Sequence, residues 1–242
     1  MRNMASLKNV ALGILAGVWA MGAEAQEIPL YAAPDLGIKT SGGAGAELAK
    51  PFEDPLPIVT KSGDARHKAE LSSCQDWLDL KERIVGSDSD SDYKVVKYQA
   101  VLCAGLALLA RATPAKETAL PPDFLNARDL KDYPGSLWPD LLAEGTPAAG
   151  NSTPTLKTAT GIAAFKVEDH RRLAVVKASQ KLTLTLLARG DFDHSGWESA
   201  VFSLEGQVSG SRISTTRLVV LTRHAPDAPF VEVPLGTLLP GK

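Results

Sequence analysis

Residues Arg189 to Ser199 read Arg-Gly-Asp-Phe-Asp-His-Ser-Gly-Trp-Glu-Ser and carry the side chains best suited to chemistry. Asp191, Asp193 and Ser195 place oxygens at alternate positions, and Gly196 permits a sharp turn. The Trp197 carbonyl, with Glu198 or Ser199, completes a set of oxygens. Calcium takes roughly six to eight oxygens, several of them carboxylate. The spacing therefore predicts a calcium loop with Asp191, Asp193, Ser195, Trp197, Glu198 and Ser199 as ligands. Phe202 stands where an EF-hand needs its bidentate carboxylate, so the setting is strand–loop–strand. The metal-free alternative has Asp191 and Asp193 capping a hairpin turn through backbone amides. Under both readings the loop shapes a hairpin and does not react.

The remaining candidates are plainer. Asp88, Asp90 and Asp92 alternate with serines, which suits a second surface cation site or, more simply, negative charge at a helix start. The histidines His67, His170, His194 and His224 have no metal-ligand spacing, and the cysteines form no Cys-x-x-Cys. Ser195 beside His194 is not a catalytic pair, because adjacent residues face apart. Glu198 with Asp191 or Asp193 is the one conceivable carboxylate pair for glycoside hydrolysis, although carboxylates this close in sequence more naturally share a cation. No phosphate-binding loop, nucleophile elbow or dinucleotide fingerprint occurs. Arg217 and Arg223 share strand parity, with Arg212 nearby, and read as a solvated edge or as a contact for an acidic partner.

The acidic stretch resembles the calcium loops of FG-GAP and VCBS-type repeats, which follow Asp-x-Asp/Asn-x-Asp-Gly-x-x-Asp between two strands. Asp191, Asp193 and Gly196 match, while Ser195 and Ser199 stand in place of aspartates. There is one copy, so the resemblance implies a single degenerate loop and no propeller. More broadly, the chain resembles uncharacterised exported proteobacterial proteins with a paired-cysteine helical half, an Arg-Gly-Asp-Phe strand end and a Leu-Thr-Arg strand. Here these are Cys74 and Cys103, Arg189 to Phe192, and Leu221 to Arg223. That resemblance implies export and no particular activity.

The elements that must position these residues follow from patterning. Arg2 and Lys8, an apolar run from Val10 to Gly22, and Ala23-Glu24-Ala25 predict a signal peptide over residues 1–25. Removing it takes Arg2, Lys8 and Glu24 and leaves 24 basic against 27 acidic residues, net −3. That balance argues against nucleic acid and against an anionic membrane surface, and no later run suits membrane insertion. Residues 26–60 read as an extended or disordered leader, rich in Pro, Gly and Ala. Two helices are expected. The first covers 64–84, capped by Asp64, with Leu71, Cys74, Trp77 and Leu78 in its stripe, extended by Leu80 and Ile84. The second covers 93–111, with Val95, Tyr98, Leu102, Leu106 and Leu109 on one face. Set antiparallel, they would bring Cys74 and Cys103 together as a disulfide in an oxidising compartment. Short helical turns are expected at Phe124–Leu130 and Ser136–Ala143. From about 155 the alternation of Val, Leu and Thr predicts strands at 164–169, 173–178, 182–188, 200–204, 214–222 and 230–234.

The expected fold is α+β: an N-terminal disulfide-linked helical pair packed with a C-terminal antiparallel β-meander. Residues 61–242 would form a single domain, helical over 64–145 and β over 155–236. The expected function is an exported, periplasmic or secreted, binding or interaction protein for a protein or envelope partner, with a weak structural calcium ion. The alternative is an envelope-acting hydrolase using carboxylates of the acidic loop.

Overall fold

A computed structural model describes residues 27–38, 43–121, 125, 130–139, 141, 155–161, 164–169 and 171–239. The expected signal peptide lies outside the described residues, as do His170 and most of the turn expected at Phe124–Leu130.

The N-terminal elements are β1 (Tyr31–Ala32), α1 (Gly43–Leu48), β2 (Pro51–Ser62), β3 (Ala65–Ser73), α2 (Cys74–Leu80), β4 (Ile84–Gly86) and α3 (Asp90–Leu109). A 3-10 turn at Gly135–Leu137 precedes α4 (Leu156–Thr160). Then come β5 (Ala164–Asp169), β6 (Arg172–Lys177), β7 (Gln180–Gly190), β8 (Ser199–Val208), β9 (Ser214–Thr222), β10 (Val231–Val233) and α5 (Leu235–Leu238).

Strands take 42% of the described residues against 26% for helices, so the chain is mostly β, with two sheets. The expected α+β fold, a helical pair set on a meander, is overturned. Its first helix fails because residues 65–73 pair with β2 from Leu56 to Ser62 in a long hairpin. Gly63 and Asp64 are the two residues between Ser62 and Ala65, and Gly63 sits at φ 58°, as a tight hairpin turn requires. Asp64 therefore belongs to a turn and caps no helix. What remains helical is α2, whose cap is Ser73, its side chain accepting from the Asp76 amide at 3.1 Å. Leu71 is buried on β3, and Ile84 belongs to β4.

The second helix exists but starts earlier. Ser89 caps it, accepting from the Asp92 amide at 3.1 Å, and Asp90 and Asp92 occupy its positive first turn. Its burial departs from the expected stripe: Val95 and Tyr98 are exposed, while Val101 and every residue from Cys103 to Leu109 are buried. The C-terminal half of α3 is largely buried, whereas the N-terminal half is mostly exposed apart from Val96. Cys74 and Cys103 do form a disulfide, which joins the first residue of α2 to α3 with Cα atoms 5.0 Å apart.

The large sheet runs β10-β9-β8-β7-β6-β5, with β1 also paired to β7. Directly opposed residues of an antiparallel pair share a face. One face carries Leu173, Leu184 and Leu204 in one row, with Leu186, Phe202 and Val219 in the next. Tyr133, Leu137, Leu156 and Phe230 cover it, and nearly all of this cluster is fully buried. The other face changes character along its length. Leu187, Val201, Leu218 and Val220 lie under α3, and Gly105 of α3 comes close enough that an added Cβ would sit 3.7 Å from Leu187. Beyond Leu218 that same face turns polar. The small sheet, β3-β2-β4, packs Ile58 and Leu71 against Val96 of α3.

Candidate functional site

The acidic stretch connects β7 to β8, with Gly190 opposite Ser199, so it is the tip of a hairpin between neighbouring antiparallel strands. Asp191 is 3% exposed. Its Oδ1 accepts from the Ser195 amide at 3.1 Å and its Oδ2 from the Gly196 amide at 2.8 Å. Asp193 Oδ1 also accepts from the Ser195 amide, and Ser195 Oγ accepts from the Trp197 amide at 3.2 Å. His194 and Gly196 adopt the left-handed backbone that closes this turn, at φ 59° and 87°. Burial pulls the Asp193 carboxyl upward, but hydrogen bonds from the Ser195 side chain and amide, and contact with Asp191, outweigh it and hold the group below its ordinary 3.8.

Of the proposed ligands, Asp191 and Asp193 meet at the Ser195 amide, and others are engaged elsewhere. Glu198 is 2% exposed and spends both oxygens on Arg189, Nε to Oε1 at 2.9 Å and Nη2 to Oε2 at 2.8 Å. The Ser199 side chain is buried on β8. Trp197 is stacked on His224 with ring centroids 5.5 Å apart. Among the described residues no group of three His, Cys, Asp or Glu side chains could hold a metal ion.

The loop instead ties elements together. Asp191 exchanges backbone bonds with Thr113 at 3.0 and 3.1 Å. The Gly196 carbonyl accepts from Lys116 and Glu117, and the Glu198 amide donates to the Glu117 carbonyl at 2.8 Å. Ala115 in turn exchanges two backbone bonds with Ile28. The hairpin tip thereby clamps the segment leaving α3 and the N-terminal strap.

A second region is concave. Strand register builds its floor. Arg172, Thr185, Ser203 and Leu218 stand in one row across β6 to β9. The next row is Ala174, Thr183, Glu205 and Thr216, and the third is Val176, Lys181, Gln207 and Ser214. These alternate residues share the face that α3 covers. The exposed N-terminal half of α3 overhangs the polar rows and leaves a trough of ≈ 460 Å³, with Lys94 on its helical wall.

Two more recesses continue it. A central one of ≈ 260 Å³ is lined by Tyr93, Lys94, Lys97, Arg212 and Thr216. A third, of ≈ 360 Å³, is lined mainly by apolar groups: Trp77, Val101, Ala104, Leu218 and Leu239, with Lys81 and Lys97 at its rim. Thr216 lines all three recesses, Lys94 the first two and Lys97 the last two. Through these shared residues the three adjoin as a groove along α3, hydroxyl-rich at one end and apolar at the other.

The electrostatics of the polar end are mixed. Burial, then the Glu205 and Asp35 carboxylates, pushes the Tyr98 phenol above its usual range, with Arg172 opposing. Glu168 lies 3.6 Å from Lys181 and 3.9 Å from Arg172. Ser203 is 4% exposed, and its Oγ has no hydrogen-bond partner among the described residues, on the face where Thr185 and Leu218 flank it. A buried hydroxyl of this kind normally has a partner.

Of the residues lining these recesses, the sequence singled out Trp77, Asp90, Arg212 and Arg217, each for other reasons. Lys94 and Thr216 are distant in the chain, and only strand register together with the path of α3 joins them. The available signal was the pair of threonines at alternate positions of β7, Thr183 and Thr185, facing opposite to the leucines. Comparison with protein-family models, with curated proteins and with solved structures finds no match to this chain.

Proposed function

We propose that this chain is an exported binding protein whose site is the groove beneath α3. The observation that carries the reading is the continuity of the groove at Thr216, which lines its polar, central and apolar recesses. Each of the two larger recesses falls within the range of about 300–1,000 Å³ typical of small-molecule sites. The disulfide between Cys74 and Cys103 supports an oxidising, periplasmic or secreted location, as does the signal-like start of the chain. The hydrolase alternative draws no support from the acidic loop, where Asp191 and Glu198 are buried and committed to amides and to Arg189. Calcium at that loop draws none from geometry that closes the turn with backbone donors.

The test is a thermal melt of the protein purified from a bacterial periplasm, against a panel of small anions, polyols, short peptides and amphiphiles. A ligand that binds the native state raises the midpoint by mass action. The expected result is that one class protects the wild type and fails to protect Thr216→Trp, whose indole fills the junction of the recesses. Equal protection of both proteins by every active class would reject the groove as the site.

A further inference from the structure

Given that the groove is the binding site, its two ends specify what it holds. We propose that the ligand is a single-chain amphiphile with an anionic head group. The hydrocarbon chain fills the apolar recess between Trp77, Val101, Ala104, Leu218 and Leu239. The head group meets the ammonium groups of Lys97 and Lys94, where the floor passes from Leu218 to Thr216.

Charge placement carries the second half of this assignment. The chain as a whole is net negative, at −2, yet the central recess is lined by Lys94, Lys97 and Arg212 against one carboxylate, Asp90. Lys97 Nζ sits 4.6 Å over the Tyr93 ring, and Lys94 Nζ reaches the Arg212 carbonyl at 3.4 Å. Neither ammonium has a carboxylate within ion-pair distance among the described residues, whereas Lys81, at the apolar rim, is paired with Glu82 at 2.6 Å. Two cations without a carboxylate, set between an apolar recess and a hydroxyl-lined trough, suit a charged head that continues a hydrocarbon chain. The Thr183 and Thr216 hydroxyls are placed to satisfy any further polar atoms of that head.

The probe is laurate, titrated below its micelle concentration and followed by tryptophan fluorescence, with dodecanol as the uncharged analogue and inorganic phosphate as the chainless anion. The expected result is a saturable change with laurate that is lost in Trp77→Phe. Dodecanol should bind about tenfold more weakly, the loss of one or two partly exposed ion pairs. The double variant Lys94→Gln/Lys97→Gln should bring laurate to the affinity of dodecanol, and since both lysines are exposed it should keep the wild-type circular dichroism. Phosphate alone should produce no change. Equal affinities for laurate and dodecanol, insensitivity to the lysine variant, or no saturable response to laurate would each overturn the proposal. If laurate fails while another class still protects the wild type and not Thr216→Trp, the ligand assignment falls and the groove stands.

Discussion

Arg189 and Glu198 meet in a two-pronged pair across the mouth of the β7–β8 hairpin, with contacts of 2.9 and 2.8 Å. The pair lies one residue outside the turn that Asp191 organises, so turn and hairpin stem brace each other. Glu198 is almost fully buried, and removing one member of a buried pair is costly because the other charge loses its counter-ion. Glu198→Ala should destabilise the fold by about 3 kcal/mol in urea denaturation. The double variant Arg189→Met/Glu198→Leu should cost less than Glu198→Ala alone. A loss under about 0.5 kcal/mol for Glu198→Ala would place the pair among ordinary surface contacts.

The acidic loop should be indifferent to calcium. Its inner carboxylate oxygens already accept from the Ser195 and Gly196 amides. Melting midpoints in excess calcium and in EDTA should coincide. Asp191→Ala should cost about 1–3 kcal/mol, because the Gly196 amide loses its acceptor and the Ser195 amide keeps only Asp193. A midpoint that rises with calcium in the wild type and not in Asp191→Ala would show that the cation competes successfully for those oxygens.

The bridge between Cys74 and Cys103 closes a separation of 29 residues that contains α2, β4 and the first two-thirds of α3. In the chain-entropy account such a loop contributes ~3–4 kcal/mol. The Cys74→Ala/Cys103→Ala variant should lose stability of that order in chemical denaturation. Because Gln99 Nε2, on α3 with Cys103, lies within 3.9 Å of both sulfurs, the loss should appear first as faster exchange of amides around Gln99.

Asp193 supplies a pH signature. Its folded-state pKa lies below the ordinary 3.8, so folding favours its charged form. That contribution is fully present above 3.8 and fades as pH falls through the depressed folded value. The melting midpoint should therefore drop on acidification below about pH 4, and the drop should be shallower in Asp193→Asn. An identical acid limb in the two proteins would remove Asp193 from the account.

Some of this architecture was legible in the sequence and some was not, for physical reasons. β9 occupies the expected 214–222, because Leu218, Val219, Val220 and Leu221 form an apolar run with two β-branched valines at its centre, preceded by β-branched Thr215 and Thr216. The β2–β3 hairpin was hidden. Pro51, Pro55 and Pro57 look like strand breakers, yet they sit where β2 has β3 alone as neighbour, since β4 reaches only Val59 and Thr60. Leu71, Cys74, Trp77 and Leu78 fit helical spacing by coincidence, because a buried strand residue precedes a true helix start at Ser73. At the acidic stretch, residue types were legible and roles were not, since Asp191 serves a turn equally well with a cation or with two amides. The groove was the least legible feature. Lys94, Thr183, Glu205 and Thr216 are unremarkable residues individually, and they come to line one trough through strand register together with the path of α3.

The most direct test of the proposed binding beneath α3 is hydrogen exchange by mass spectrometry, with and without the panel compound that raises the melting midpoint most. Protection is expected at residues 93–104, 181–185 and 214–218, the walls and floor of the groove, with 191–199 unchanged. Protection centred on 191–199, or spread evenly over the chain, would contradict binding beneath α3.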